Sequence, residues 1–366
     1  MTELEALVIL GSIPYVGSIK ARQLIYTYGS AMATLEAESA EIKELPGFGT
    51  KIADSWGNWN KDKRWRRSWD LAQTHEIAII PYTDPRYPKK LLEISDHPLL
   101  LYVRGELKPI DQKAIAVVGT RQASIYGLEL AEHLSGDLAS HEYTIISGLA
   151  RGIDTAAHKG ALSQGRTLAV IGSGLAAIYP RENIPLAEEI AQNGAIISEF
   201  PMDTPPDRPN FPRRNRIVSG MSLGVLLIEA PLKSGAMITM EKANEQKRDL
   251  FALPGRVDNP NYAGNHQLIK SGKAQLIENA YDIAGHYEDL FGGQTIPKKM
   301  TTQVILDKEE EELLSKLPNN EINIEEMVVL TKLPIKKINI LLMSLLLKKA
   351  IKEFPGKVYK KTLCSR

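Results

Sequence analysis

The sequence predicts an α/β fold built on a mainly parallel sheet, with a helical module on either side of it, and three observations predict this. Short apolar runs alternate with amphipathic helical stretches between about residues 77 and 290, the rhythm of βαβ units that bury a parallel sheet under helices on both faces. Four of those runs end in glycine-bearing loops, which fall at the carboxyl ends of the strands, where open α/β sheets receive their ligands. Helical periodicity dominates up to about residue 66 and returns from about residue 305. Three domains are therefore expected: 1–66 helical, 77–290 Rossmann-like, and 305–366.

In the first region, helical periodicity is interrupted by two short Gly-containing turns, Ile13-Pro14-Tyr15-Val16-Gly17 and Leu45-Pro46-Gly47-Phe48-Gly49, each followed by a small residue on a new helix, Ala21 and Ala53. The pattern resembles a duplicated helix-hairpin-helix (SAM-like) module, whose Gly-rich turns aim backbone N–H groups at a phosphate. A helical module that only packs against the next domain or another subunit fits as well, since glycine at helix ends is a common cap. The basic run 61–67, with Trp65 inside it, reads as a solvated linker face.

In the central region the strands are expected at 114–118, 143–147, 167–171, 195–198, 223–228 and 250–253, with helices at 128–138, 184–192 and 236–247 between them; the runs 78–81 and 99–103 could extend the same sheet. The polar stretch 291–302, with Gly292, Gly293 and Pro297, reads as a linker. Beyond it, helices at 308–317, 324–330 and 335–347 precede a strand at 351–354, a Pro355-Gly356 turn and a second strand at 357–359. Three helices followed by a hairpin resemble a winged helix-turn-helix. A recognition helix should offer basic or amide side chains to a groove, and 335–347 is mostly apolar beyond Lys336, Lys337 and Asn339; protein interaction ranks above duplex reading for this domain.

The chain of 366 residues carries 45 basic and 44 acidic side chains, a formal net charge of +1, so a nucleic-acid partner has to be read from local clusters. One cysteine, Cys364, excludes an internal disulfide framework and a cysteine-built zinc site and suits a reducing compartment. No apolar run reaches the length of a membrane span, and the first residues carry Glu3 and Glu5 in place of a basic n-region. The cytoplasm is the expected location. The histidines show no metal-ligand spacing, and neither metal nor cofactor is expected.

The glycine loops are Gly119-Thr120-Arg121, Ser147-Gly148 through Gly152-Ile153-Asp154, Gly172-Ser173-Gly174 and Lys233-Ser234-Gly235. Together they describe one crevice in which backbone approaches an anion and helix N-termini supply partial positive charge. Gly172-x-Gly174-x-x-Ala177 matches a relaxed dinucleotide fingerprint, with Glu199 as a possible ribose acceptor. That fingerprint requires its helix to start at the glycines, and Tyr179-Pro180-Arg181 breaks the run. The stretch Arg208-Pro209-Asn210-Phe211-Pro212-Arg213-Arg214-Asn215-Arg216 puts four arginines in nine residues. Phosphate-pairing forks beside an aromatic face suit single-stranded nucleic acid. Arg213 and Arg214 read as exposed contacts and Arg216 as the member most suited to a structural ion pair; Arg121, Arg151 and Arg181 are expected to face the arginine loop across the crevice. Asp154 and His158, four apart on a helix, suit a structural pair, and no nucleophile motif accompanies them. A nucleotide-binding or nucleotide-hydrolysing enzyme using the same crevice, with Glu229 or Asp154 as its acid or base, is the rival expectation.

Taken in order, Val117-Val118-Gly119-Thr120-Arg121, Ser147 to Asp154 with His158, Gly172-Ser173-Gly174 through Tyr179-Pro180, Ser198-Glu199-Phe200-Pro201, Phe211 to Gly220, Glu229-Ala230 with Ser234-Gly235, Leu253-Pro254-Gly255 and Gly264-Asn265 closely resemble the DNA-processing protein A family, also called Smf. The resemblance spans roughly residues 77–285. It implies an extended Rossmann-like core that binds single-stranded DNA, dimerises, and helps load the strand-exchange recombinase in natural transformation (competence) or recombination, without catalytic turnover. The DNA-binding positions it implies are Arg121, Arg151, Arg181, Arg213 and Arg214, with Gly119, Gly148, Gly172, Gly174, Ser234 and Gly235 lining the crevice; Phe211, Asn215 and Arg216 accompany the arginine stretch. Thr120 stands where the family usually has serine, which keeps the hydroxyl. Lys233 is added from charge and position alone.

Overall fold

A strand buried on both faces needs an unbroken apolar run, and Ala114–Val118, Thr144–Ser147, Thr167–Val170, Ala195–Ser198 and Gly224–Leu227 are buried at every residue. The protein is seen in a computed structural model that describes residues 1–61, 63–287, 306–318, 320–348, 350–354 and 356–361. The expected linker 291–302, Pro355 and Cys364 lie outside the described residues. The chain divides into two compact units, Met1–Gly293 and Gln294–Arg366.

The first unit opens with six helices, α1 (Glu3–Ser12), α2 (Ser18–Tyr28), α3 (Ala31–Glu36), α4 (Ser39–Glu44), α5 (Thr50–Trp56) and α6 (Arg64–Thr74). Gly17 and Gly49 are the N-caps of α2 and α5, and Ala21 and Ala53 are buried one turn in. The basic run at 61–67 is no linker face: from Arg64 it is the first turn of α6. Its Ser68 is fully buried, donates to the Tyr102 hydroxyl (3.1 Å) and accepts the Met202 N–H (2.9 Å). This anchors α6 to the sheet.

The sheet has nine strands in the order β1-β2-β6-β5-β4-β3-β7-β8-β9. In chain order these are β1 (Ala78–Pro81), β2 (Leu100–Gly105), β3 (Ala114–Val118), β4 (Thr144–Ser147), β5 (Thr167–Val170), β6 (Ala195–Ser198), β7 (Gly224–Leu227), β8 (Asp249–Ala252) and β9 (Gln275–Leu276). Strands β3 to β9 pair in parallel, while β1 and β2 form an antiparallel ribbon joined antiparallel to β6. The connecting helices are α7 (Lys89–Leu92), α8 (Ile125–Ser140), α9 (Ile153–Gln164), α10 (Ile184–Asn193), α11 (Asn210–Gly220), α12 (Gly235–Glu245), α13 (Ala263–Lys270) and α14 (Ala280–Tyr287).

Side chains of period two divide the core. Ala114, Ala116, Val118, Leu168 and Val170 pack with Ile217 and Val218 of α11 and Met240 of α12. Ala169, Ile171, Leu100 and Tyr102 face the other way, into a cluster continuous with Leu7, Leu10 and Trp56 of the N-terminal helices. From β3 the chain winds outward through β4, β5 and β6 on one side and through β7 and β8 on the other. The winding direction therefore reverses between β3 and β7, the position where doubly wound sheets open a crevice.

The second unit contains α15 (Lys308–Lys316), β10 (Ile322–Asn323), α16 (Ile324–Thr331), α17 (Ile335–Leu347), β11 (Ile351–Phe354) and β12 (Val358–Lys361), the strands pairing in the order β10-β12-β11. Its small core gathers Leu313, Met327, Ile338, Leu342 and Leu345. Among the described residues no helix is long and apolar enough to cross a membrane.

Candidate functional site

At the reversal point the loops after β3, β4 and β7, with α11 and α12, enclose a crevice of about 480 Å³ lined by Gly119, Arg121, Gly148, Asp154, Phe211, Arg214, Asn215, Lys233, Ser234 and Gly235 among others. Two loops are held by one carboxylate. Glu229, fully buried just after β7, accepts from the backbone N–H (3.2 Å) and hydroxyl (2.7 Å) of Ser124 and from the Asn261 amide (2.9 Å). Asn265, also fully buried, accepts from Ala230 N–H and donates to the carbonyls of Leu227, Ile228 and Leu253. The ends of β7 and β8 are thereby fixed. Glu229 so engaged acts as an acceptor that ties the two loops together.

The expected arginine loop is a helix. Residues from Asn210 onward are α11, with Pro212 in its first turn, where a missing N–H costs nothing. A helix sends its consecutive arginines in different directions. Arg213 is exposed and points away from the crevice, its guanidinium 5.1 Å from the Phe200 ring, beside Val8, Gly17 and Tyr102. Arg214 is only 4% exposed and reaches inward, Nη1 donating to the Val170 carbonyl at 2.5 Å. The expectation of an exposed Arg214 is thus corrected: it is a buried cation in the crevice wall. Burial first, and then Arg121, pulls its pKa down to about 10, while Asp154 opposes the shift; it stays charged at neutral pH. Arg216 pairs with Glu199 and, at 3.3 Å, with Asp96, the structural ion pair expected of it. Asn215 donates to the Gly235 carbonyl, tying α11 to α12.

The glycines serve the protein more than any ligand. A Cβ at Gly148 would lie 1.7 Å from Arg214 Nη1, and Gly152, at φ +75°, lets the backbone turn against the Thr120 carbonyl. The Gly148 N–H donates to Asp154 Oδ2 (3.1 Å), as does that of Ala150. Gly174 is packed on the carbonyls of Pro201 and Met202, and its N–H donates to Thr204. The amides of Gly148, Ala150 and Gly174 are thereby engaged within the protein. Gly235 is the exception: it opens α12 with nothing within 4 Å of its Cβ position, preceded by the capping Ser234 and exposed Lys233. Gly119 packs against Ile153 and Gly172 against the Phe211 ring.

Arg151 and Arg181 are exposed but do not line the crevice. Arg151 is paired with Glu182 and lies 5.8 Å over the Tyr179 ring. Arg121 lies 5.2 Å over Phe211, whose ring is 6.2 Å from that of Tyr179. Among the described residues Arg121, Arg181, Arg213 and Lys233 form no ion pair with a carboxylate. Asp154 and His158 do not pair with each other. His158 is fully buried against the Thr167 hydroxyl (2.7 Å), and burial, reinforced by Arg214, drives its pKa down to about 3. Burial raises the Asp154 carboxyl, with Arg214 and the two amides opposing. The glycines at 172 and 174 open no helix; the next regular turn starts at Arg181, which removes the dinucleotide geometry.

Fold and site define a doubly wound, Rossmann-like protein with a cationic crevice at its topological switch point. Residues 78–288 match the family model of DNA recombination-mediator protein A, and the chain belongs to that family of DNA-processing, recombination-related proteins. It is 48% identical to protein Smf of Escherichia coli over 55% of this chain and 54% of that one, so the match spans about half of that relative. It is 40% identical to the DNA processing protein DprA of Bacillus subtilis over 57% of this chain and 70% of that one. The X-ray structure of DNA processing protein A from Streptococcus pneumoniae superposes with a TM-score of 0.66 at 31% identity, covering 78% of this chain and 98% of the other. That of Helicobacter pylori, described for its single-stranded DNA binding mode, gives 0.53 at 32% identity, covering 58% and 96%.

Proposed function

We propose that this protein binds single-stranded DNA in the crevice and acts as a recombination mediator, protecting the incoming strand and helping to load a strand-exchange recombinase, as a cytoplasmic homodimer without catalytic turnover. The observation that carries the reading is the crevice itself: Arg121 stacked on Phe211, Lys233 before the N-terminus of α12, and the buried charge of Arg214 between them. Charges set in a concave wall of low dielectric concentrate potential on an entering anion, and an aromatic ring beside them offers a face to an unpaired base. Arg121 and Lys233 and, in the turn after β5, Arg181 meet phosphates. Ser234 and Gly235 bring the first amides of α12 to the same place.

Residues 1–66 are read as a helix-hairpin-helix module and 305–366 as a winged-helix module with a protein-binding role; exposed Ile340, Met343 and Leu347 on α17 favour the latter. The test is binding of a labelled oligonucleotide across a salt titration. Three phosphate contacts predict a slope of log affinity on log salt of about −2, at about −0.7 per contact for single strands. A flat response overturns the proposal. The crevice volume also suits a mononucleotide, so a thermal-shift screen is the companion experiment: strong stabilisation by one nucleotide with no oligonucleotide effect favours the enzyme reading.

A further inference from the structure

We infer that Tyr179 forms a second base-binding subsite outside the crevice, taking an unstacked nucleobase of the same strand, with Arg151 as the residue that positions its ring. The inference rests on the single-strand reading above and extends it to a residue outside the crevice lining.

Phe211, the aromatic in the crevice, is half-buried: Arg121 lies over it and the backbone at Gly172 closes on its edge. Tyr179 is 37% exposed and its ring stands next in line, 6.2 Å from Phe211 with the two planes tilted by 56°. Rings this close and this tilted leave no slot for a base between them. Each can offer only an outer face, and Tyr179 is the more exposed of the two rings. Arg151 is fixed from two sides, by Glu182 and by Tyr179; its guanidinium is raised in pKa, first through the hydrogen bond to Glu182 and then through that to Tyr179. A cation already neutralised by Glu182 is a poor phosphate contact and a good clamp on a ring.

The topology puts these groups in a row. Lys233 follows β7, Arg121 follows β3, the Gly148 loop follows β4 and Tyr179 lies in the loop after β5, and β7, β3, β4 and β5 are neighbours in the sheet. Three inter-strand steps of about 4.8 Å make about 14 Å, roughly four nucleotides at a stacked rise of about 3.4 Å. A strand bound in the crevice and running toward β5 therefore reaches Tyr179; a very short one does not.

The full chain is titrated with oligothymidines of about twelve and about two nucleotides, the longer lying within the usual footprint of such sites. Tyr179→Leu keeps the apolar bulk and removes the π-face; Tyr179→Phe keeps both. The leucine variant is expected to bind the long strand about five- to 150-fold more weakly, as loss of one stacked base implies, to bind the short one as wild type does, and to melt at the wild-type temperature. The phenylalanine variant retains affinity. Arg151→Ala weakens long-strand binding less than Tyr179→Leu, leaves the salt slope unchanged and adds nothing to it in the double variant. In the wild-type complex, 2-aminopurine at one position of the long strand is quenched, and the quenching is lost in Tyr179→Leu. Wild-type affinity of the leucine variant for the long strand overturns this inference alone. A salt slope that falls by about 0.7 in Arg151→Ala makes Arg151 a phosphate contact and overturns its positioning role. Failure of the wild type to bind any oligonucleotide overturns the single-strand reading, and this inference with it.

Discussion

Arg213 and Arg214 are adjacent in sequence, and replacing each by alanine should give opposite phenotypes. Arg214 is 4% exposed, donates to the Val170 carbonyl and is the chief favourable charge facing buried Asp154. Losing a charged hydrogen bond costs about 1.5–3 kcal/mol, and removing the compensating cation from a buried carboxylate costs about 3–5 kcal/mol. The two losses overlap, so Arg214→Ala should lower unfolding free energy by about 3–5 kcal/mol. In a unit of this size that is a fall in Tm of about 10 °C. Arg213, exposed and resting against the Phe200 ring, should change stability by no more than about 0.5 kcal/mol. The assay is a denaturant or calorimetric melt of the two single variants beside the wild type. An Arg214→Ala protein that melts with the wild type refutes the placement of that guanidinium as a buried, paired charge, and any loss of DNA binding in it would then have to be read as a direct contact.

Three further outcomes are expected. Arg121→Ala and Lys233→Ala should each leave the melt unchanged and reduce the magnitude of the single-strand salt slope by about 0.7; an unaltered slope in either removes that residue from the phosphate contacts. Asn265→Ala, which strands the Ala230 amide and removes the side-chain donor from the Ile228 and Leu253 carbonyls, while the Leu227 carbonyl keeps the Leu253 N–H, should cost about 3 kcal/mol, read by urea denaturation. The His158 pKa is depressed from 6.5 to about 3, so the unfolded chain takes up the proton first: the stability present above pH 6.5 is lost as pH falls from there toward 3, by about 2 kcal/mol on reaching pH 5. His158→Gln should flatten that part of the pH profile, and an unchanged profile shows that the imidazole is free to protonate in the fold.

The βαβ rhythm was legible because buried parallel strands leave an unmistakable mark: 114–118 and 195–198 coincide with β3 and β6, and 335–347 with α17. The first turn of α11 was hidden by Pro209 and Pro212, which read as breakers in a sequence and are harmless at a helix start. Burial of Arg214 was illegible for a geometric reason. Neighbours on a helix differ by about 100° in direction, and charge alone does not tell which one turns inward. The crevice glycines misled in a similar way, since a missing Cβ admits a ligand or a guanidinium equally; at Gly148 it admits Arg214. Tyr179 reads in the sequence as a helix breaker beside Pro180 and as the end of a family motif, and only its place after β5 puts it on the same sheet edge as the other loops.

The enclosed guanidinium of Arg214 has a thermodynamic consequence. A flexible surface arginine must be immobilised when it grips an anion, at about 0.5–1.5 kcal/mol per side chain. Arg214 is locked to the Val170 carbonyl by the fold itself, so its ordering is completed during folding and is not repeated on association. The crevice is in this respect preorganised. Tightness at its floor is drawn from the stability of the sheet, which makes the fold and the site a single reservoir: whatever loosens β5 weakens both together.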